Sequence, residues 1–244
     1  MNVAERYADV VLEQLRAVIE TQTSALNQAA TMVGDALIRE QWVYVFGTGH
    51  SHMLAEEAFY RAGGLVRMVP ILDTGLMLHE GAAKSSYLEG IEGYAETLLD
   101  QYPVRIGDVL IVASNSGRNA VPIDMALAGK ARKMSVIALT NLRHSKMWPS
   151  RHTSGKHLFE CADIVIDNCG IPGDSSIHID GLDTDVGATS TISGTLIMNM
   201  ISLQAMEYCI LHGKVPEVYV SSNGVESDHN ERIITKYRTQ IRHL

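Results

Sequence analysis

The chain has 244 residues, 46% of them hydrophobic and 20% charged, and a formal net charge of −8. That composition belongs to a folded globular protein long enough to bury a substantial core, and the negative balance gives no general support to a nucleic-acid partner. Cys161, Cys169 and Cys209 make no disulfide framework, and the charged stretch from Met1 to Glu20 has no signal-peptide core; reduced thiols and a cytoplasmic setting are expected.

In chain order, Val3 to Ile19 predicts an amphipathic helix, with Val10, Val11, Leu15 and Val18 on or near one stripe, and Ser24 to Arg39 predicts a second. Trp42 to Phe46 is apolar throughout, as a parallel strand covered on both faces should be. A helix from Ser51 to Ala62, closed by Gly63-Gly64, leads to a strand from Leu65 to Leu72. Asp73 to Ser86 reads as a loop and Tyr87 to Gln101 as a helix. Val109 to Ala113 is the third strand, Val121 to Arg132 a helix, Met134 to Leu139 the fourth strand and Ile164 to Ile166 the fifth. His144 to Lys156 reads as an exposed polar loop, and Asn168 to Gly187 as a second long loop, of the length that is functional or mobile in compact domains. The last major helix runs from Ala188 to His212; its first part carries no charge, but its Thr, Ser, Asn and Gln residues make it a core or interface helix rather than a membrane span.

Alternating strands and helices predict an α/β fold, a doubly wound parallel sheet whose strand carboxyl ends share one edge, where ligands bind. The organisation expected is a helical segment (1–38), a sheet domain (39–213) and a carboxyl-terminal extension (214–244).

Two loops at that edge carry the chemistry. Gly47-Thr48-Gly49-His50-Ser51 follows the first strand, and Ser114-Asn115-Ser116-Gly117-Arg118-Asn119 follows the third. Each opens a helical pattern, and free backbone N–H groups at a helix start, with hydroxyls beside them, suit an anion such as phosphate. Gly-x-Gly alone also suits a dinucleotide or a plain tight turn, but Met53 stands where a third glycine belongs, and nicotinamide binding is not expected. The second loop is the more specific, although Asn119 also suits a helix cap, and Arg118 either reaches a phosphate or is solvated.

These two segments resemble the phosphate-binding loops of the SIS (sugar isomerase) family, over roughly Arg39 to His212. The resemblance implies a flavodoxin-like sheet in three α-β-α layers with amino-terminal helices. It also implies a homodimer or homotetramer with sites shared between subunits. Within the family, His79-Glu80-Gly81-Ala82, Ser116-Gly117-Arg118 and Leu196-Ile197-Met198-Asn199-Met200 resemble segments of N-acetylmuramic acid 6-phosphate etherases. Where phosphoheptose isomerases carry a catalytic Glu, this chain has Arg61, which argues against heptose isomerisation.

Isomerisation or elimination on a sugar phosphate requires removal of a proton beside a carbonyl, by a carboxylate or His within reach. Glu80 is the expected base, at the position of a catalytic Glu in the etherase-like pattern, with His79 as proton shuttle. Glu56 and Glu57 lie near the first loop, whereas Glu89 and Glu92 read as a solvated helix face and Arg151-His152 as solvated loop residues. His50 and His52, with His178 or Asp180, do not define a metal site, so no metal or cofactor is expected. The expectation is therefore a phosphosugar isomerase or lyase, the alternative a sugar-phosphate sensor without turnover; neither nucleic acid nor membrane is an expected partner.

Overall fold

The computed structural model describes residues 1–222 and 228–244. Its centre is a five-stranded sheet: β1 (Val43–Gly47), β2 (Met68–Ile71), β3 (Val109–Ala113), β4 (Ser135–Thr140) and β5 (Ile164–Asp167). The order is β2-β1-β3-β4-β5 with every pair parallel, the flavodoxin-like winding, whose switch point lies between β1 and β3.

Successive strand residues face opposite layers. Tyr44, Phe46, Leu110 and Val112 pack with α5 (Tyr94–Leu99), α6 (Ala120–Ala131) and α9 (His229–Tyr237). Val43, Val45, Val109 and Ile111 pack with α2 (Thr23–Ile38), α3 (Met53–Ala58) and α8 (Ser190–Leu211). The chain is thus a three-layer α-β-α structure, with α1 (Val3–Thr21) laid against α8 and capped by Asn2. Among the described residues no helix is long and apolar enough to cross a membrane.

Several expected boundaries move. The helix after β1 ends at Ala58, because Phe59 turns extended and Tyr60 takes φ 48°. β2 is shorter than Leu65 to Leu72, since Leu65 bridges Val218 in antiparallel fashion instead of joining the sheet. The single helix expected from Tyr87 to Gln101 is two, α4 (Ala82–Leu88) and α5, separated where Gly93 adopts φ 80°. The polar stretch after β4 opens with α7 (Leu142–Met147), whose first turn is capped by the Asn141 side chain. The extension ends in α9, an amphipathic helix that buries Ile233 and Tyr237.

Candidate functional site

Gly47 pairs with Ala113, so the loops after β1 and β3 leave the sheet side by side at its switch point. The first loop turns at once: Thr48 O accepts from Ser51 N–H at 2.9 Å, and a 3-10 turn (Gly49–His52) leads into α3. Only glycine fits at position 47, because a Cβ there would strike the Ser51 backbone. Thr48 and His52 are buried, while His50 and Ser51 face the crevice.

The second loop is braced from beneath. Ser114 Oγ accepts from Gly117 N–H (3.1 Å), Ser145 Oγ donates to Ser116 O (2.6 Å), and Asn168 Nδ2 donates to Asn115 Oδ1 (2.8 Å). Gly117 has φ 59°, and a Cβ there would sit 2.8 Å from the hydroxyls of both Thr140 and Ser145. The backbone N–H groups of Ser116, Arg118, Asn119 and Ala120 have no acceptor among the described residues. With the dipole of α6 behind them, they are free to receive an anion. Asn119 does not cap α6 with its side chain; its Oδ1 accepts from Arg151 at 3.2 Å. Arg118 is tied back, Nε donating to Pro149 O at 3.0 Å, with its guanidinium 6.0 Å from the Trp148 ring centre.

A second helix start at this edge is already occupied. Asp174 Oδ1 accepts from the N–H groups of Thr189 and Ser190, both at 3.0 Å, and its Oδ2 accepts from Ser190 Oγ at 2.6 Å. The long loop before α8 thus supplies its own carboxylate as the anion there. The crevice between the two loops and α8, floored by Leu139 and Asn168, has about 10 Å³ of space, the room of one water.

Glu80 and Glu89 sit in different settings. Glu80 is exposed and paired to Lys84 at 2.9 Å. Hydrogen bonds from Lys84 and Thr74 hold its carboxyl below the usual range, which weakens it as a base. His79 is exposed, its ring centre 6.2 Å from that of His52. Glu89, expected to be solvated, is half-buried at the end of α4 and accepts from Thr48 Oγ1 at 2.7 Å. Its carbonyl accepts from Val121 N–H at 3.0 Å, in the first turn of α6. Glu89 therefore bridges the first loop and the helix behind the second, a placement the unbroken-helix expectation concealed.

The solvated setting expected for Glu92 and His152 is also corrected. Glu92 accepts from the Thr153 N–H (2.7 Å) and hydroxyl (2.6 Å), and the His152 ring, largely buried, lies 2.8 Å from Asp124; these contacts clamp the polar loop to the α4–α5 turn and to α6. Glu57 is held by Arg61 (2.7 Å) and Asn199 (3.1 Å). His178 is exposed beside Asp185 at 3.2 Å, and among the described residues no group of three or more His, Cys, Asp or Glu is placed to hold a metal. Burial pushes the Cys161, Cys169 and Cys209 thiols up, away from nucleophilic use.

Comparison with known proteins agrees with this architecture. A family profile described as the SIS domain matches residues 6–141. A UPF0309 protein of Thermoanaerobacter pseudethanolicus is 43% identical over 244 residues, covering 98% of each chain. One from Geobacillus thermodenitrificans is 42% identical over 238 residues, covering 97% of this chain and 96% of the relative. Among solved structures, a phosphoheptose isomerase from Francisella tularensis superposes with TM-score 0.53 at 16% identity, over 85% of this chain and all of that one. One from Neisseria gonorrhoeae gives 0.50 at 20% identity, over 83% and 98%. At such identities the likeness is one of fold.

Proposed function

The chain belongs to the SIS domain family, and on that premise we propose that it binds a phosphorylated sugar and acts on it as an isomerase or lyase, by moving a proton next to the carbonyl. The supporting observation is the placement of Glu89. A carboxylate joined to the first loop through Thr48 lies beside the helix whose free N–H groups follow the second loop. The phosphate sits on Ser116 and the N–H groups of Arg118, Asn119 and Ala120. Ser51, His50 and Asn115 line the neighbouring crevice and orient the sugar at its rim. A phosphate held this way needs no basic surface, which fits a chain of net charge −8.

Glu89 takes the place given to Glu80 as the proton-moving group. It is shielded and oriented, whereas Glu80 is neutralised by Lys84 in solvent. A carboxylate that removes a proton beside a carbonyl serves both isomerisation and β-elimination, and the leaving group decides between them. Heptose isomerisation is disfavoured: Arg61 is bound to Glu57, and no carboxylate occupies its position.

The test is incubation with ketose, aldose and amino-sugar phosphates in heavy water, followed by mass spectrometry of the sugar. Deuterium entering the carbon beside the carbonyl is expected for at least one ligand. Tight binding with no exchange for any of them would sink the enzyme reading and leave a sensor.

A further inference from the structure

The other end of the sheet holds a cavity that the proposed reaction does not use. It has a volume of about 580 Å³ and lies where the strands begin, within the size range of small-molecule sites. Arg39 follows α2, Arg67 immediately precedes β2 and Arg105 lies just before β3, while Lys214 and Lys236 come from the carboxyl-terminal extension. β3 separates this cavity from the phosphate loops by its five residues, about 16 Å of strand.

Five cations face two carboxylates in the lining, Glu40 and Glu217. Lys214 reaches Glu40 at 2.9 Å and Lys236 reaches Glu217 at 2.7 Å. Three positive charges are left over, two if Asp108, buried behind Arg105 at 3.7 Å, is counted. Such an excess is unexpected in a chain whose net charge is −8. The guanidiniums are also preset. Arg67 lies 4.6 Å from the Trp42 ring centre and donates to Glu40 O at 2.7 Å; Arg105 donates to the same carbonyl at 3.0 Å. Arg39 is exposed and has no carboxylate partner among the described residues.

We infer that this cavity is a second ligand site, for a small anion carrying two or more phosphate groups. Paired guanidiniums suit phosphate oxygens through their fork of donors, and an excess of two to three charges meets or exceeds the roughly 1.5–2 that one phosphate group carries, so its upper end calls for a second. A nucleoside base is not called for: Trp42 and Tyr237, the aromatic rings beside Arg67, are buried at 3% and 2% exposure and present no free stacking face. Nucleic acid is equally unsuited, since the site is a small local concavity on a chain of net charge −8.

The test is calorimetric titration of the full chain with pyrophosphate, and separately with inorganic phosphate, at low salt. Pyrophosphate is expected to bind at least about tenfold more tightly than phosphate, and the double variant Arg39→Ala/Lys214→Ala to weaken it about tenfold. Ser116→Ala should leave that affinity unchanged, which separates this site from the phosphate loops. As a readout without substitution, pyrophosphate should protect Lys214 and Lys236 from acylation and leave Lys84 reactive. No binding, equal affinity for the two anions, binding unaffected by the double variant, or binding lost in Ser116→Ala would each overturn the inference; none of these would bear on proton exchange at Glu89.

Discussion

Glu89→Gln is the most informative substitution. Thr48 Oγ1 donates to Glu89 Oε1 at 2.7 Å, and a glutamine amide oxygen can accept the same bond. Replacing a charged acceptor by a neutral one costs about 1 kcal/mol, a fall of roughly 2–4 °C in Tm for a chain of this size. The variant should therefore fold. Removing the proton-moving group is a larger effect, about 10²–10⁴ in rate, or about 3–5 kcal/mol of barrier. The assay is deuterium incorporation from heavy water into a bound sugar phosphate, with thermal unfolding measured on the same samples. Glu80→Gln is the comparison: its carboxylate is exposed and paired with Lys84, so exchange should change by less than about threefold. If Glu89→Gln exchanges like the parent while Glu80→Gln does not, the base is Glu80 and the proton-moving role given to Glu89 is wrong.

Further outcomes follow from the same geometry. Ser116→Ala should weaken sugar-phosphate binding about tenfold, the worth of one hydrogen bond to a charged group, with Tm unchanged, because no described residue bonds its hydroxyl; equal affinity in calorimetry would remove it from the phosphate cradle. Gly117→Ala forces φ 59° on an L-residue and places a Cβ 2.8 Å from the Thr140 and Ser145 hydroxyls. The cost should be about 2–3 kcal/mol and the fall in Tm roughly 5–10 °C. His144 accepts from Gly173 N–H at 2.8 Å, and burial, with Arg118 nearby, lowers its pKa below 6.5 despite the opposing pull of Asp174. A base depressed in the folded state contributes fully above its unfolded value and loses that contribution as pH falls through the folded one. The 168–187 loop should therefore become more open to hydrogen exchange as pH drops from above 6.5; uniform protection across that interval would contradict the assignment.

The difference between what was legible in the sequence and what was not follows from how each signal arises. β1 and β3 were readable to within a residue, because a strand covered on both faces must be apolar at every position, and Val43–Gly47 and Val109–Ala113 are buried throughout. The two loops were readable because glycine is forced at 47 and 117 by close approach of other atoms. Glu89 was not. Read as part of one helix, Glu89 and Glu92 fall three apart on one face, and a charged face is ordinarily solvated. The chain instead breaks there. Gly93 takes φ 80°, its N–H is held by Asp124 at 2.7 Å, and the carboxylates part: Glu92 goes to Thr153 and Glu89 to Thr48. The available signal was Leu88-Glu89-Gly90-Ile91-Glu92-Gly93, whose paired glycines are poor helix formers. The cationic cavity was hidden for a different reason. Arg39, Arg67, Arg105, Lys214 and Lys236 are scattered over some two hundred positions of an acidic sequence, and only parallel strands that all begin at one edge, with the extension folded back by α9, gather them. The topology that unites the two loops at the carboxyl ends also collects these cations at the amino ends. Local pattern therefore reported the loops, each of which is contiguous, and missed both the carboxylate between them and the cavity behind them.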